Sequence, residues 1–94
     1  APHHPAVLRA LHRIVGAANA HQTDVSVCGE MAHVPAYVRF LLGIGVRKLS
    51  VDPHYLPDVQ RTIMGIELPE AERYAARLLA EPTVTGTERL IREC

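Results

Sequence analysis

The chemistry this sequence offers is concentrated at one cysteine. Cys28 closes the short run Val25-Ser26-Val27-Cys28, and Gly29 follows at once. An apolar run that ends in a reactive side chain and then a glycine is how a buried parallel strand hands that side chain to a loop. Packing alone also accounts for a cysteine in such a place, because a free thiol behaves as a small core residue. Glu30 could face the site, but a solvated or helix-capping glutamate explains it better. Gly29 meets a turn requirement. Ser26 points the same way along the strand as Cys28 and reads as an interior-filling residue.

The six histidines raise the question of a metal. His3 and His4 form a loop pair. His12 and His21 lie nine residues apart, which on one helix would put them on opposite faces. His33 and His54 each follow a strand end and could share one mouth. No pair has the spacing of a zinc-binding helix, and no carboxylate joins them in motif form, so no metal site is expected within this chain. Cys94 is an incidental terminal thiol, and Arg47-Lys48 reads as a solvent-facing loop.

The elements that would position Cys28 follow from punctuation and period. Pro5 suits a first helical turn. Val7, Leu11, Ile14 and Ala18 recur at helical spacing, which predicts a helix over about 5–20 with these residues inward and Arg9 and Arg13 outward. Gly16 is its weak point. The strand 25–28 carries no charge on either face, so both faces are expected to be buried. Pro35 opens a helix over 36–42 with Val38, Leu41 and Leu42 buried, and Gly43 and Gly45 stop it. Leu49-Ser50-Val51 is a second strand, broken by Asp52-Pro53. About 20 residues and a helix separate the strands, which is a parallel βαβ crossover. Pro57 starts a third helix with Val59 and Ile63 on one face. Pro69 starts a fourth with Ala71, Tyr74, Ala75, Leu78 and Leu79 inward, ended by Glu81-Pro82. Thr85-Gly86-Thr87-Glu88 has capping-box spacing for a last helix that ends near Cys94.

The chain has 94 residues, 48% of them apolar, which is enough for one small core and argues against global disorder. With one Phe, three Tyr and no Trp, that core is expected to be aliphatic. Ten basic side chains balance ten acidic ones, so charge gives no case for nucleic acid or an anionic membrane. No stretch is long and apolar enough for membrane insertion. Two cysteines do not make a disulfide framework, and free thiols fit a cytoplasmic location. The fold class is α/β, two short parallel strands with about five helices. Two parallel strands do not make a stable sheet, so the element order fits a piece of a (β/α)8 barrel, its last quarter. Residues 1–67 would be the last βα units and 68–94 a C-terminal helical tail. The first residue is not Met, in keeping with a processed protein or a cut from a longer one.

Three segments carry a resemblance. His4-Pro5-Ala6-Val7-Leu8-Arg9, then Val25-Ser26-Val27-Cys28-Gly29-Glu30-Met31-Ala32, then Leu41-Leu42-Gly43-Ile44-Gly45-Val46-Arg47-Lys48-Leu49-Ser50-Val51 resemble the C-terminal end of the phosphoenolpyruvate-utilising barrel. Enzyme I of the sugar phosphotransferase system and its nitrogen-related paralogue are the nearest in kind, and the order matches across nearly the whole chain. The resemblance implies a cytoplasmic phosphotransferase. It would move phosphate from phosphoenolpyruvate to a histidine on a separate domain, with Cys28 giving the proton that turns the enolate left behind into pyruvate. A thiol with an ordinary pKa of about 8.5 keeps that proton at neutral pH. The resemblance also implies magnesium, a phosphocarrier protein and a homodimer partner.

Two departures bear on this. The family continues Cys-Gly-Glu-Met-Ala with Gly-Asp, whereas here His33-Val34 follows. The family's phosphohistidine, phosphate-binding arginines and magnesium-binding carboxylates have no counterpart in these 94 residues, so the segment alone is not expected to catalyse the reaction. Two alternatives follow: a barrel remnant kept for dimerisation or regulation, and a related phosphoenolpyruvate or pyruvate enzyme with another phosphoryl acceptor.

Overall fold

A computed structural model describes residues 3–27 and 34–93. Helix α1 (Pro5–Ala20) leads into strand β1 (Ser26–Val27), then α2 (Pro35–Gly43), β2 (Lys48–Leu49) and a 3-10 turn (Pro53–Tyr55). Three further helices follow: α3 (Leu56–Met64), α4 (Leu68–Ala80) and α5 (Val84–Arg92). The two strands run parallel, with Ser26 opposite Lys48 and Val27 opposite Leu49. The Ser50 amide continues the ladder by donating to the Val27 carbonyl at 2.8 Å. This is the α/β arrangement expected from the sequence, two parallel strands and five α-helices among the described residues.

Proline sets the start of most helices, as its fixed φ and missing N–H favour the first turn. It stands there in α1, α2, α3 and α4. His4 caps α1, its Nδ1 accepting from the Ala6 amide at 3.0 Å. Thr83 caps α5, its hydroxyl accepting from the Gly86 amide. The capping box expected at Thr85–Glu88 does not form, because the helix has already begun at Val84. Thr87 is instead fully buried inside the helix, with its hydroxyl 2.6 Å from the His3 carbonyl oxygen and 2.9 Å from that of Val84.

Helix α2 is the centre of the fold. It packs chiefly against α4, and also touches α3 and α5. Ala36, Tyr37, Val38, Phe40 and Leu41 are all buried, so α2 is covered nearly all round. Phe40 is fully buried among Leu8, Val15, Leu41, Val46 and Leu78. The core is therefore not purely aliphatic: the single Phe and two of the three tyrosines, Tyr37 and Tyr74, lie in it. An aromatic ring contributes so much apolar area that even one is drawn to the centre of a small core.

Two further expectations are corrected. On α1 the buried residues are Pro5, Leu8 and Val15, with Leu11 half-buried against the core, while Ile14 is 59% exposed and Val7 is also exposed. The stripe runs one residue over from the expected one, because 8, 11 and 15 satisfy the helical period as well as 7, 11, 14 and 18 do. The strands are not buried on both faces. Val25, Val27 and Leu49 pack towards the core, but Ser26, Lys48 and Ser50 are exposed. The second strand also begins earlier than expected, at Lys48, so Lys48 is a strand residue and not loop.

Candidate active site

Cys28 is the next residue after Val27, the last residue of β1. Cys28 itself, with Gly29, Glu30 and His33, lies outside the described residues, as does Cys94. Both anchors of the connecting segment are described. On one side, β1 is held by its ladder to β2. On the other, Val34 is the N-cap of α2 and its carbonyl accepts from the Val38 amide at 2.9 Å. In parallel α/β folds, sites form beyond the carboxyl ends of the strands. Two segments leave the sheet on that side. One reaches Pro35; the other passes through Asp52, whose carboxylate accepts from the His54 amide at 2.9 Å and so sets the 3-10 turn. Pro35 at the start of α2 and Tyr55, Asp58, Arg61 and Thr62 at and after the 3-10 turn line one cleft. In it the Arg61 guanidinium stands 3.6 Å from the Asp58 carboxylate. The His54 ring meets Tyr55 edge to face at 5.4 Å.

At the opposite end of the strands, the Lys48 ammonium contacts the Asp24 carboxylate at 2.8 Å. The hydrogen bond from Lys48, reinforced by its charge, holds the Asp24 carboxyl below its ordinary value. Arg47 donates to the Leu42 and Val46 carbonyl oxygens at 2.9 and 2.8 Å and so closes the C-terminus of α2. Arg47 and Lys48 face solvent, as expected, yet both have partners. Ser26 and Ser50 share the open face of the sheet, with hydroxyls 3.1 Å apart.

The histidines go to separate places. His3 contacts Glu88 at 2.9 Å, His4 caps α1, His21 follows α1 as its C-cap, and His54 sits on the 3-10 turn. Tyr37 lies near the first of these contacts. Burial, and then the Glu88 charge, raise its phenol above its ordinary value. Among the described residues no group of three His, Cys, Asp or Glu side chains comes together to hold a metal ion. Among them, too, no helix is long and apolar enough to cross a membrane.

A family model described as PEP-utilising enzyme, PEP-binding domain, matches residues 1–68, which contain the whole β1–α2–β2 unit. The chain belongs to the PEP-utilising enzyme family. Over 82 residues, or 87% of this chain, it is 39% identical to the phosphoenolpyruvate-dependent phosphotransferase system protein of Escherichia coli K12, and covers 11% of that protein. It is 33% identical over 88 residues to the phosphoenolpyruvate-protein phosphotransferase of Chlamydia trachomatis, covering 94% of this chain and 15% of that protein. The phosphotransferase of Cupriavidus necator is 36% identical over 86% of this chain, with 16% of its own length covered. The chain thus spans less than one fifth of the length of these curated relatives. The family match stops at residue 68, where α4 begins.

Proposed function

We propose that these residues belong to an enzyme I-like phosphoenolpyruvate-protein phosphotransferase, in which Cys28 protonates the enolate of pyruvate. The observation that carries this reading is the family match across the β1–α2–β2 unit, with phosphotransferases aligned over most of the chain. The position of Cys28 agrees with it, since it directly follows a parallel strand. In the larger protein the two strands would be neighbours in a (β/α)8 barrel, with residues 1–67 its last βα units and 68–94 a helical tail.

The chemistry is a proton transfer that follows phosphoryl transfer. Loss of the phosphoryl group from phosphoenolpyruvate leaves an enolate whose electron density reaches the methylene carbon. That carbon forms a C–H bond as the Cys28 S–H bond breaks, giving pyruvate and a thiolate. A thiol near its ordinary pKa of about 8.5 is mostly protonated at neutral pH and can act as this acid. The phosphoryl acceptor would be a histidine on a separate domain, which then passes the group to a phosphocarrier protein for sugar or nitrogen phosphotransfer. Magnesium belongs to the same reading. Among the described residues no group of three His, Cys, Asp or Glu side chains comes together to hold it.

The test is pyruvate release from phosphoenolpyruvate by the full-length natural chain, with magnesium and a phosphoryl acceptor, with Cys28 intact and as Cys28→Ala. A fall of about 100-fold or more supports the general acid. Unchanged turnover makes Cys28 a packing residue. Absence of turnover in both supports the second reading, a remnant kept for association, which the replacement of Gly-Asp by His33-Val34 favours.

A further inference from the structure

We propose that the cleft where the start of α1, the first turn of α2 and the end of α5 meet is a binding site for a small apolar α-amino acid. His3, Tyr37, Glu88, Ile91 and Arg92 line it, and its volume is about 340 Å³. The rim is held in place from α5. Thr87, one residue before Glu88, is fully buried and donates its hydroxyl to the His3 carbonyl at 2.6 Å. The His3 imidazole Nε2 then meets Glu88 Oε1 at 2.9 Å. Backbone and side chain of His3 are thus both fixed on α5. The chemistry proposed for Cys28 uses none of these residues.

Tyr37 is the observation that points to a ligand. It is only 9% exposed, yet its hydroxyl has no hydrogen-bond partner among the described residues. A buried hydroxyl ordinarily has one. No fully enclosed side-chain oxygen or nitrogen among the described residues lacks a partner, so the Tyr37 hydroxyl opens on the cleft that its residue lines. Burial, and then the Glu88 charge, raise this phenol above its ordinary value, so it stays protonated and able to donate at neutral pH. Beside it the Arg92 guanidinium stands 3.9 Å from Glu88 Oε2, too far for a hydrogen bond, and its donors remain available. Glu88 spends one oxygen on His3 and keeps lone pairs on the other. With histidine neutral, the lining carries one cation and one anion side by side. A phosphate or a dicarboxylate would bring negative charge against Glu88, and a simple amine would bring positive charge against Arg92. An α-amino acid carries both charged groups on one carbon, its carboxylate suited to Arg92 and Tyr37 and its ammonium to Glu88. Ile91 and the Tyr37 ring give its side chain an apolar wall.

The experiment is calorimetric titration of the full-length natural chain at neutral pH with L-leucine. Two partial ligands with the same branched body serve as comparisons: 4-methylpentanoate, which lacks the ammonium, and 3-methylbutylamine, which lacks the carboxylate. Leucine is expected to saturate one site per chain, and each partial ligand to bind about 10-fold or more weakly, the size expected for a lost hydrogen bond to a charged group. The leucine titration is repeated with Tyr37→Phe, Arg92→Gln and Glu88→Gln, each shown folded by circular dichroism. Each should weaken leucine about 10-fold or more. Tyr37→Phe is the decisive variant, because it removes the unpartnered hydroxyl and leaves the buried ring in place. No saturable heat with millimolar leucine overturns the proposal. So does 4-methylpentanoate binding as tightly as leucine, which would make the site a reader of carboxylate alone. Leucine binding unchanged in Tyr37→Phe and Arg92→Gln would put the ligand elsewhere and overturn it too. Should a variant fail to fold, the comparison of leucine with its two partial ligands on the unmodified chain still decides. None of these readouts needs pyruvate release, so failure here and failure of the proposed function are told apart.

Discussion

The hydroxyls of Ser26 and Ser50 lie 3.1 Å apart across the β1–β2 pair, on a face of the sheet left open to solvent. The opposite face sends Val25, Val27 and Leu49 against the core. A parallel sheet covered on one side only is unusual, because its crossover helices normally accompany burial of both faces. In the barrel reading this open face is the barrel interior, where small side chains leave room for the layers contributed by other strands. Ser50→Leu separates the two situations. In the 94-residue chain it should change stability by no more than about 0.5 kcal/mol, as exposed substitutions do. In the full-length protein it should cost about 1–3 kcal/mol by overpacking. Thermal unfolding of the two pairs makes the comparison, and equal shifts in both would remove the barrel interior from consideration.

Gly45 gives a sharper local test. Its φ is +110°, a conformation that L side chains rarely adopt, and a Cβ there would meet the Asn19 amide nitrogen at 2.6 Å. This residue turns the chain out of α2, so that the amide of Val46 returns to the Leu41 carbonyl at 3.0 Å. Gly45→Ala should destabilise the chain by about 1–2 kcal/mol from the backbone alone. For a domain of this size that lowers Tm by roughly 4–8 °C per kcal/mol. An unchanged Tm would mean that the turn has relaxed to another conformation.

The sequence made the element order readable because prolines mark four of the five helix starts and the apolar period does the rest. Ala71, Tyr74, Ala75 and Leu78 all lie on the inward face of α4, as their spacing indicates. The rotation of α1 was not readable. Val7 and Ile14 are as apolar as Leu8 and Val15, and only the packed neighbours decide between the two stripes. Nor could local pattern find Thr87, whose partner is the His3 carbonyl at the other end of the chain. The Pro35–Tyr55 cleft escaped for the same reason, since it joins residues from two different strand exits. The strand that leads up to Cys28 was legible, because a short apolar run defines it locally.

Asp24 and Lys48 make a pH-dependent contact at the amino ends of the strands. Asp24 titrates below its ordinary value of 3.8, first through the Lys48 hydrogen bond and then through its charge. A depressed carboxyl stabilises the fold above its unfolded pKa, and the contribution disappears as pH falls through the depressed folded value. Both side chains are solvent-exposed, so the effect on stability at neutral pH is small and salt screens it. The measurement is therefore an NMR titration of the Asp24 carboxyl. Lys48→Met should raise its midpoint towards 3.8. An unmoved midpoint would show that the contact is not held in solution.

The last prediction concerns the chain by itself. Among the described residues the sheet has two strands only, so each strand has a free edge. Apolar side chains stand exposed on both flanks: Val7 and Ile14 on α1, and Leu56, Ile63 and Met64 on α3, with Met64 87% exposed. Free strand edges beside apolar helix faces are templates for pairing with another chain; β2 carries the charge of Lys48, but β1 has neither a charge nor a proline to blunt its edge. The 94-residue chain should therefore associate at micromolar concentration in sedimentation velocity. Because apolar burial drives the contact, sulfate should strengthen it, where an ionic contact would weaken. Ile14→Lys with Met64→Lys should shift the chain towards monomer without lowering helical content, since neither residue reaches the core. A compact monomer at these concentrations would mean that α1 and α3 need no cover and that the sheet is complete with two strands. The barrel reading would then give way to a self-contained α/β domain.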